Sequence, residues 1–194
     1  MNASAREQDD DWADKIGKPT FAAIAEMVAA LQCDYDRLEK LRDELRNAFD
    51  DEDEKNDPDD DKAFAAWITN AAEDARHTLQ ESAQELLALQ TAAGECGSED
   101  DARERIQEDP LSQEVRSGWT SPGDLRIDEM KPEEFCLLLG TGGPATRIIG
   151  HLNEHGEPDC ARLEVQDWGK PWTEYVPANH DVLLAYCQCF YFGS

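Results

Sequence analysis

Residues 50–61 of this chain hold nine carboxylates, one lysine, one asparagine and Pro58. Such a run cannot enter a packed core, because a buried unpaired charge costs more than neighbouring contacts return. The chain must turn there. On the N-terminal side, Ile24, Val28, Leu31, Tyr35, Leu38, Leu45 and Phe49 recur at alternating steps of four and three, with Arg42 the one polar intruder, which is the pattern of a helical seam. On the other side Phe64, Ile68, Ala71, Ala75, Leu79, Ser82, Leu86, Leu89 and Ala93 nearly repeat it. Two apolar stripes of similar length joined by a Pro-containing polar break predict an antiparallel helical hairpin. Each arm would be about 45 Å long at about 1.5 Å per residue, with negative charge at the tip.

The rest of the chain is arranged around that hairpin. Residues 1–12 are polar and read as a disordered N-terminus, although Trp12 and Ile16 are able to dock as a short turn that Gly17-Lys18-Pro19 breaks. Thr20 is a reasonable N-cap for the first long helix. The hairpin with its acidic tip then occupies 13–95, and Trp67 plugs its hinge end. A linker over 96–125 carries a short helix, 99–108, opened by Ser98-Glu99-Asp100-Asp101 and closed by Pro110, followed by an extended stretch at 112–119 and a turn at 121–124.

A small domain fills 126–194. Pro132 with Glu133-Glu134 suits a helix start, and Phe135, Leu138 and Leu139 give that helix a buried face. Residues 145–152, 160–165 and 172–176 read as three strands separated by turns at 153–156 and 167–171. In the second of them Cys160, Arg162 and Glu164 share one face, and Ala161, Leu163 and Val165 the other. Asn179 is placed to cap a last helix. The expected fold class is α+β: a long, coiled-coil-like antiparallel helical hairpin followed by a small domain with a three-stranded antiparallel sheet and flanking helices.

The formal charge of -26 restricts function. Acidic residues outnumber basic ones by 20 to 9 over 1–62, by 11 to 3 over 63–110 and by 13 to 6 over 111–194. Direct nucleic-acid binding and attachment to anionic lipid are disfavoured, since both need lysine and arginine against phosphates. Basic surfaces, including those that normally hold nucleic acid, are attracted instead. The plainer alternative is that the acid serves solubility.

The polar stretch Met1 to Asp11 lacks the apolar h-region of a signal peptide and no run is long enough to span a membrane, so a reducing cytoplasm is expected. Cys33, Cys96, Cys136, Cys160, Cys187 and Cys189 include no Cys-x-x-Cys pair and read as free thiols, with no metal and no cofactor expected. Gly140-Thr141-Gly142-Gly143 is a turn rather than a phosphate loop, because no Gly-Lys-Ser/Thr and no following helix accompany it. The acidic run lacks the glycine and terminal glutamate of an EF-hand. His77, His151, His155 and His180 are scattered. An enzyme would need a pocket joining His151 or His155 to Asp167 or Glu174, and the expectation is a protein without enzymatic activity.

Glu133-Glu134-Phe135-Cys136, Gly142-Gly143-Pro144-Ala145-Thr146-Arg147-Ile148-Ile149-Gly150, Gln166-Asp167-Trp168-Gly169-Lys170-Pro171-Trp172-Thr173-Glu174-Tyr175 and Phe190-Tyr191-Phe192-Gly193 resemble a recurrent module of acidic, uncharacterised accessory proteins of bacteriophages and prophages of proteobacteria. The opening, Ala13-Asp14-Lys15-Ile16-Gly17 and Cys33-Asp34-Tyr35-Asp36-Arg37-Leu38, is similar to the front of its longer members. The resemblance implies a small accessory protein in a bacterial host cell and brings no functional residues with it. Joined to the charge, it suggests a DNA mimic of the anti-CRISPR or anti-restriction kind that occupies a basic nucleic-acid-binding host protein or complex. The candidate contacts are Asp50, Asp51, Glu52, Asp53, Glu54, Asp57, Asp59, Asp60, Asp61, Glu73, Asp74, Glu81 and Glu85. The alternative is a structural or regulatory adaptor whose hairpin mediates oligomerisation, as a homodimer through the Ala-rich helix.

Overall fold

The structure, a computed structural model, describes residues 3–52, 60–119 and 131–193, with side chains from 12 to 51 in the first of these stretches. It is α+β and divides into two compact units, Ala29–Ala102 and the combination of Met1–Val28 with Arg103–Ser194.

The two long arms expected from the sequence are not found among the described residues. Helix α1 (Ala3–Leu31) ends early and α2 (Tyr35–Glu52) starts afresh. The cause is Asp34, whose carboxylate accepts the Arg37 N–H at 2.9 Å and caps a new helix. The Tyr35 hydroxyl donates to the Ala30 carbonyl at 3.0 Å, closing the break. Leu38, Leu45 and Phe49 keep the inward positions that the seam gives them. Fully buried Leu41 takes the inward position that an unbroken seam assigns to Arg42, and Arg42 is exposed.

The second arm divides in the same way into α3 (Asp61–Glu73) and α4 (Gln80–Ala93). Between them the Asp74 carboxylate accepts the Arg76 N–H at 2.9 Å, and His77 Nδ1 accepts the Leu79 N–H at 3.1 Å. Gln80 and Gln84 donate from Nε2 to the Ala72 carbonyl at 3.2 and 2.8 Å. Side chains that satisfy backbone groups in this way offer the chain an alternative to helix, and here the alternative wins. The end of α1 and the three shorter helices α2, α3 and α4 therefore stand where two rods were expected. Leu38, Leu41, Leu45 and Phe49 of α2 form one core with Phe64, Ile68, Ala71 and Ala72 of α3 and Ala83, Leu86 and Ala93 of α4. Trp67 stacks on Phe64 at 6.3 Å and meets Phe49 edge-on at 5.8 Å, sealing the end nearest the acidic run.

In the other unit α1 continues through Gly17 and Pro19, where the sequence suggested a break. Gly17 serves close packing: a Cβ there would lie 2.3 Å from Cγ of Tyr175. The Thr20 hydroxyl donates back to the Ile16 carbonyl at 2.9 Å instead of capping a helix start. Helix α5 (Glu99–Glu108) forms where expected, its Asp101 N–H held by Ser98 Oγ at 3.1 Å.

The sheet has five antiparallel strands, not three, in the order β1 (Ser112–Arg116), β2 (Glu134–Gly140), β3 (Ala145–Leu152), β4 (Pro158–Gln166), β5 (Thr173–Tyr175). The helix expected at 132 is strand β2. Phe135, Leu138 and Leu139 suit a helical face, but pairing with β1 and β3 satisfies both edges of this segment and buries Phe135 and Leu137 with period two. The β3–β4 turn is built by Asn153, whose side-chain oxygen accepts the N–H groups of His155 and Glu157 at 2.8 and 3.0 Å, and by Gly156 at φ 78°.

One sheet face is covered. Phe135, Leu137, Ile148, Leu152, Ala161, Leu163 and Val165 are buried there, and α6 (Asp181–Cys187), with buried Leu183, Tyr186 and Cys187, packs against β4. Phe192 lies 4.5 Å from Phe135, ring to ring. The Tyr186 hydroxyl donates to Asp109 at 2.6 Å, and burial together with that carboxylate pushes its pKa well up. Cys187 and Cys189 are buried free thiols, and burial raises the Cys187 pKa.

Candidate functional site

The Ala29–Ala102 unit carries 22 acidic and 7 basic residues, a net charge of -15 in 74 residues. The structure places the predicted contacts unequally. Asp53, Glu54, Asp57 and Asp59 lie outside the described residues, and so does the side chain of Glu52, the last residue of α2. Asp51 is exposed near the end of α2, whereas Asp50 is half-buried and its Oδ1 has no hydrogen-bond partner among the described residues. Asp60 caps α3, accepting the N–H groups of Lys62 and Ala63 at 3.0 Å.

Two candidates are neutralised. Asp61 meets Arg46 at 2.5 Å, and Glu85 accepts two hydrogen bonds from Arg37, at 2.8 and 2.7 Å. The hydrogen bond from Arg37 lowers the Glu85 pKa, and Glu85 in turn raises that of Arg37. Asp74 is exposed but holds the α3–α4 turn together. Glu73 and Glu81, at the two ends of that turn, are exposed and form no ion pair among the described residues.

Other carboxylates, which the sequence presents as an ordinary solvated face, are better placed. Asp36, Glu39 and Asp43 of α2 are exposed, and none has an ion-pair partner among the described residues. Steps of three and four put them on one stripe, about 5 Å apart along the helix axis. Duplex DNA offers one charge per about 3.4 Å of each strand. Both their spacing and their place opposite the seam are legible in the sequence, and the structure has all three exposed.

The uncovered face of the sheet is different. Read across the strands, its rows are Arg116, Glu134, His151, Cys160, then Glu114, Cys136, Ile149, Arg162, then Ser112, Leu138, Arg147, Glu164, Glu174. Cations and carboxylates alternate and pair. Arg116 donates to Glu134, Arg147 binds Glu164 at 2.8 and 2.6 Å while lying 4.1 Å from the Trp172 ring, and Arg162 comes within 4.0 Å of Glu174. The hydrogen bond from Arg116 lowers the Glu134 pKa, with smaller contributions from His151 and Arg162. A shallow cavity of about 270 Å³ sits on this face, lined among others by Glu134, Cys136, Ile149, His151 and Arg162.

That cavity joins His151 to Glu114 and Glu134, neither of which the sequence marks as a catalytic candidate, and not to Asp167 or Glu174. His155 lines a separate groove with Glu157. The Asp167 carboxylate accepts the Trp168 N–H within its own turn at 2.8 Å. Among the described residues no group of three or more His, Cys, Asp and Glu side chains is placed to hold a metal ion, and no helix is long and apolar enough to cross a membrane. Comparison of the chain with protein-family models, with curated proteins and with solved structures finds no match.

Proposed function

We propose that this chain is a non-enzymatic binding protein whose Ala29–Ala102 unit presents carboxylates to a basic, nucleic-acid-binding surface of a host protein or complex. The observation that carries the reading is the stripe Asp36, Glu39, Asp43 on α2, with Glu73 and Glu81 exposed at the α3–α4 turn, in a unit of net charge -15. These groups stand on hydrogen-bonded helices over a shared core, so little conformational entropy is lost when a partner fixes them. At physiological salt the screening length is about 8 Å, so the partner feels this local array rather than the charge of the whole chain.

The resemblance to phage accessory proteins directs the proposal to host defence complexes that hold DNA or RNA, in the manner of an anti-CRISPR or anti-restriction mimic acting in the bacterial cytoplasm. The test is capture from host lysate by the full chain over a salt series, repeated with Asp36→Lys, Glu39→Lys and Asp43→Lys combined. A partner should be retained at low salt, be released by duplex DNA and lose about tenfold or more in affinity for the triple variant. Failure to recover a basic partner at low ionic strength, or equal retention by the variant, overturns the reading.

A further inference from the structure

Strand β1 is an edge of the sheet. Among the described residues it pairs with β2 alone, in unbroken register over its five residues, so its outer N–H and C=O groups belong to no described ladder. The opposite edge, β5, is protected. It is three residues long, Pro171 and Pro177 flank it, and its Tyr175 lies against Gly17 and Phe21. Strand β1 has none of these devices: no proline occurs from Leu111 to Trp119, and no bulge interrupts the pairing. Apolar side chains stand in the open there instead, Leu111 at 60%, Val115 at 45% and Trp119 at 107% exposure. Leu111 and Val115, four residues apart, project on the side of Phe135, the register partner of Val115, while Glu114 and Arg116 project on the other.

We propose that β1 is a dimerisation edge: it pairs antiparallel with β1 of a second copy of this chain, about a two-fold axis at Val115, and joins the two sheets into one. The register follows from hydrogen bonding and charge. Outward-facing backbone groups alternate along a strand, so a two-fold pair must be centred on a residue for outward groups to meet outward groups. Centring on Glu114 sets glutamate against glutamate, and centring on Arg116 sets arginine against arginine; like charges directly opposite oppose pairing. Centring on Gln113 forms no charge pair and sets Arg116 against Pro110, which has no N–H to give. Centring on Val115 sets Glu114 opposite Arg116 of the second copy, twice by symmetry, and Val115 opposite Val115 on the other side of the strand. That register also carries Leu111 towards Trp119 of the second copy, so the apolar side chains left in the open meet one another. The formal charge of -26 opposes self-association, but at physiological salt the screening length is about 8 Å and the groups at the edge decide the contact. This edge belongs to the sheet unit and makes no use of the acidic stripe on α2.

Sedimentation of the full chain over about a hundredfold range of concentration should show a monomer giving way to a dimer. Glu114→Arg sets arginine against arginine and Arg116→Glu sets glutamate against glutamate, and each should weaken self-association about tenfold or more. Mixed together, the two variants should regain the wild-type affinity, because every charge then faces one of the other sign. Trp119→Ala, at an exposed position, should weaken the dimer several-fold, and with Glu114→Arg it keeps the edge under test if Arg116→Glu, which loses the contact with Glu134, shows an unfolded circular dichroism spectrum. A monomer at every concentration overturns the proposal. So does a dimer that Glu114→Arg and Trp119→Ala both leave intact, as one joined through the Ala-rich helix would be, or a mixture of the two folded charge variants no tighter than either alone.

Discussion

The helical unit and the open face of the sheet solve the problem of surface charge in opposite ways. On the sheet, arginines and glutamates stand opposite one another on neighbouring strands, and the Arg147–Glu164 pair is reinforced by Trp172. On the helices, a large excess of acid is left facing water, and Arg37–Glu85 and Arg46–Asp61 remove only part of it. A paired lattice holds a surface in shape and attracts nothing at long range, whereas unpaired charge stabilises little and recruits partners. The two regions should therefore differ in how they respond to mutation and to pH.

The largest effects should be alike in both, because both rest on buried apolar cores. Leu86→Ala in the helical unit and Leu163→Ala in the sheet each remove a fully buried side chain and should each cost about 2–5 kcal/mol, read from urea unfolding. The comparison separates at the next level. Arg147→Ala takes away a half-buried charge-assisted pair and a stacked aromatic contact, and a loss of about 1–3 kcal/mol is expected in the same assay. Charge reversal at Asp43 should leave stability unchanged or raise it slightly, and a clear destabilisation would show that the acidic stripe is structural.

Helix caps come next. Asp34→Ala and Asp60→Ala should each cost about 1 kcal/mol, and Asp34→Ala should reduce helix content measured by circular dichroism around the α1–α2 break. The smallest effect concerns acid. Arginine partners lower the folded-state pKa of Glu85 and Glu134, so the stability they contribute is present above the ordinary carboxylate pKa of about 4.3 and is lost as pH falls through the depressed folded values. Thermal midpoints should decline below the ordinary carboxylate range, and Glu85→Gln should flatten that decline only slightly because the pair is at the surface.

What the sequence conveyed depended on whether a signal was local. The β3–β4 hairpin was readable because Asn153 and Gly156 dictate its turn and the alternation of 160–165 dictates its faces. Strand β2 was not, because an apolar run of that length suits either period and only pairing with β1 and β3 decides. Both interruptions of the helical arms had signals that a seven-residue template overrides. Arg42 out of phase and Asp34 before Tyr35 marked the first, and Asp74 with His77 marked the second. The pairing of Glu85 could not be foreseen, since Arg37 is distant in the chain, and the Cys160–His151–Glu134 row needed β2 to be recognised as a strand.

Every strand of the sheet pairs only with its neighbour in sequence. Such a meander can zip up one hairpin at a time, so little ordering has to precede the first rewarding contact, and its contact order is low for a β structure. The 17 residues between β1 and β2 are the longest separation in sequence between paired strands. Rapid assembly starting at the β3–β4 hairpin follows, with β1 joining last.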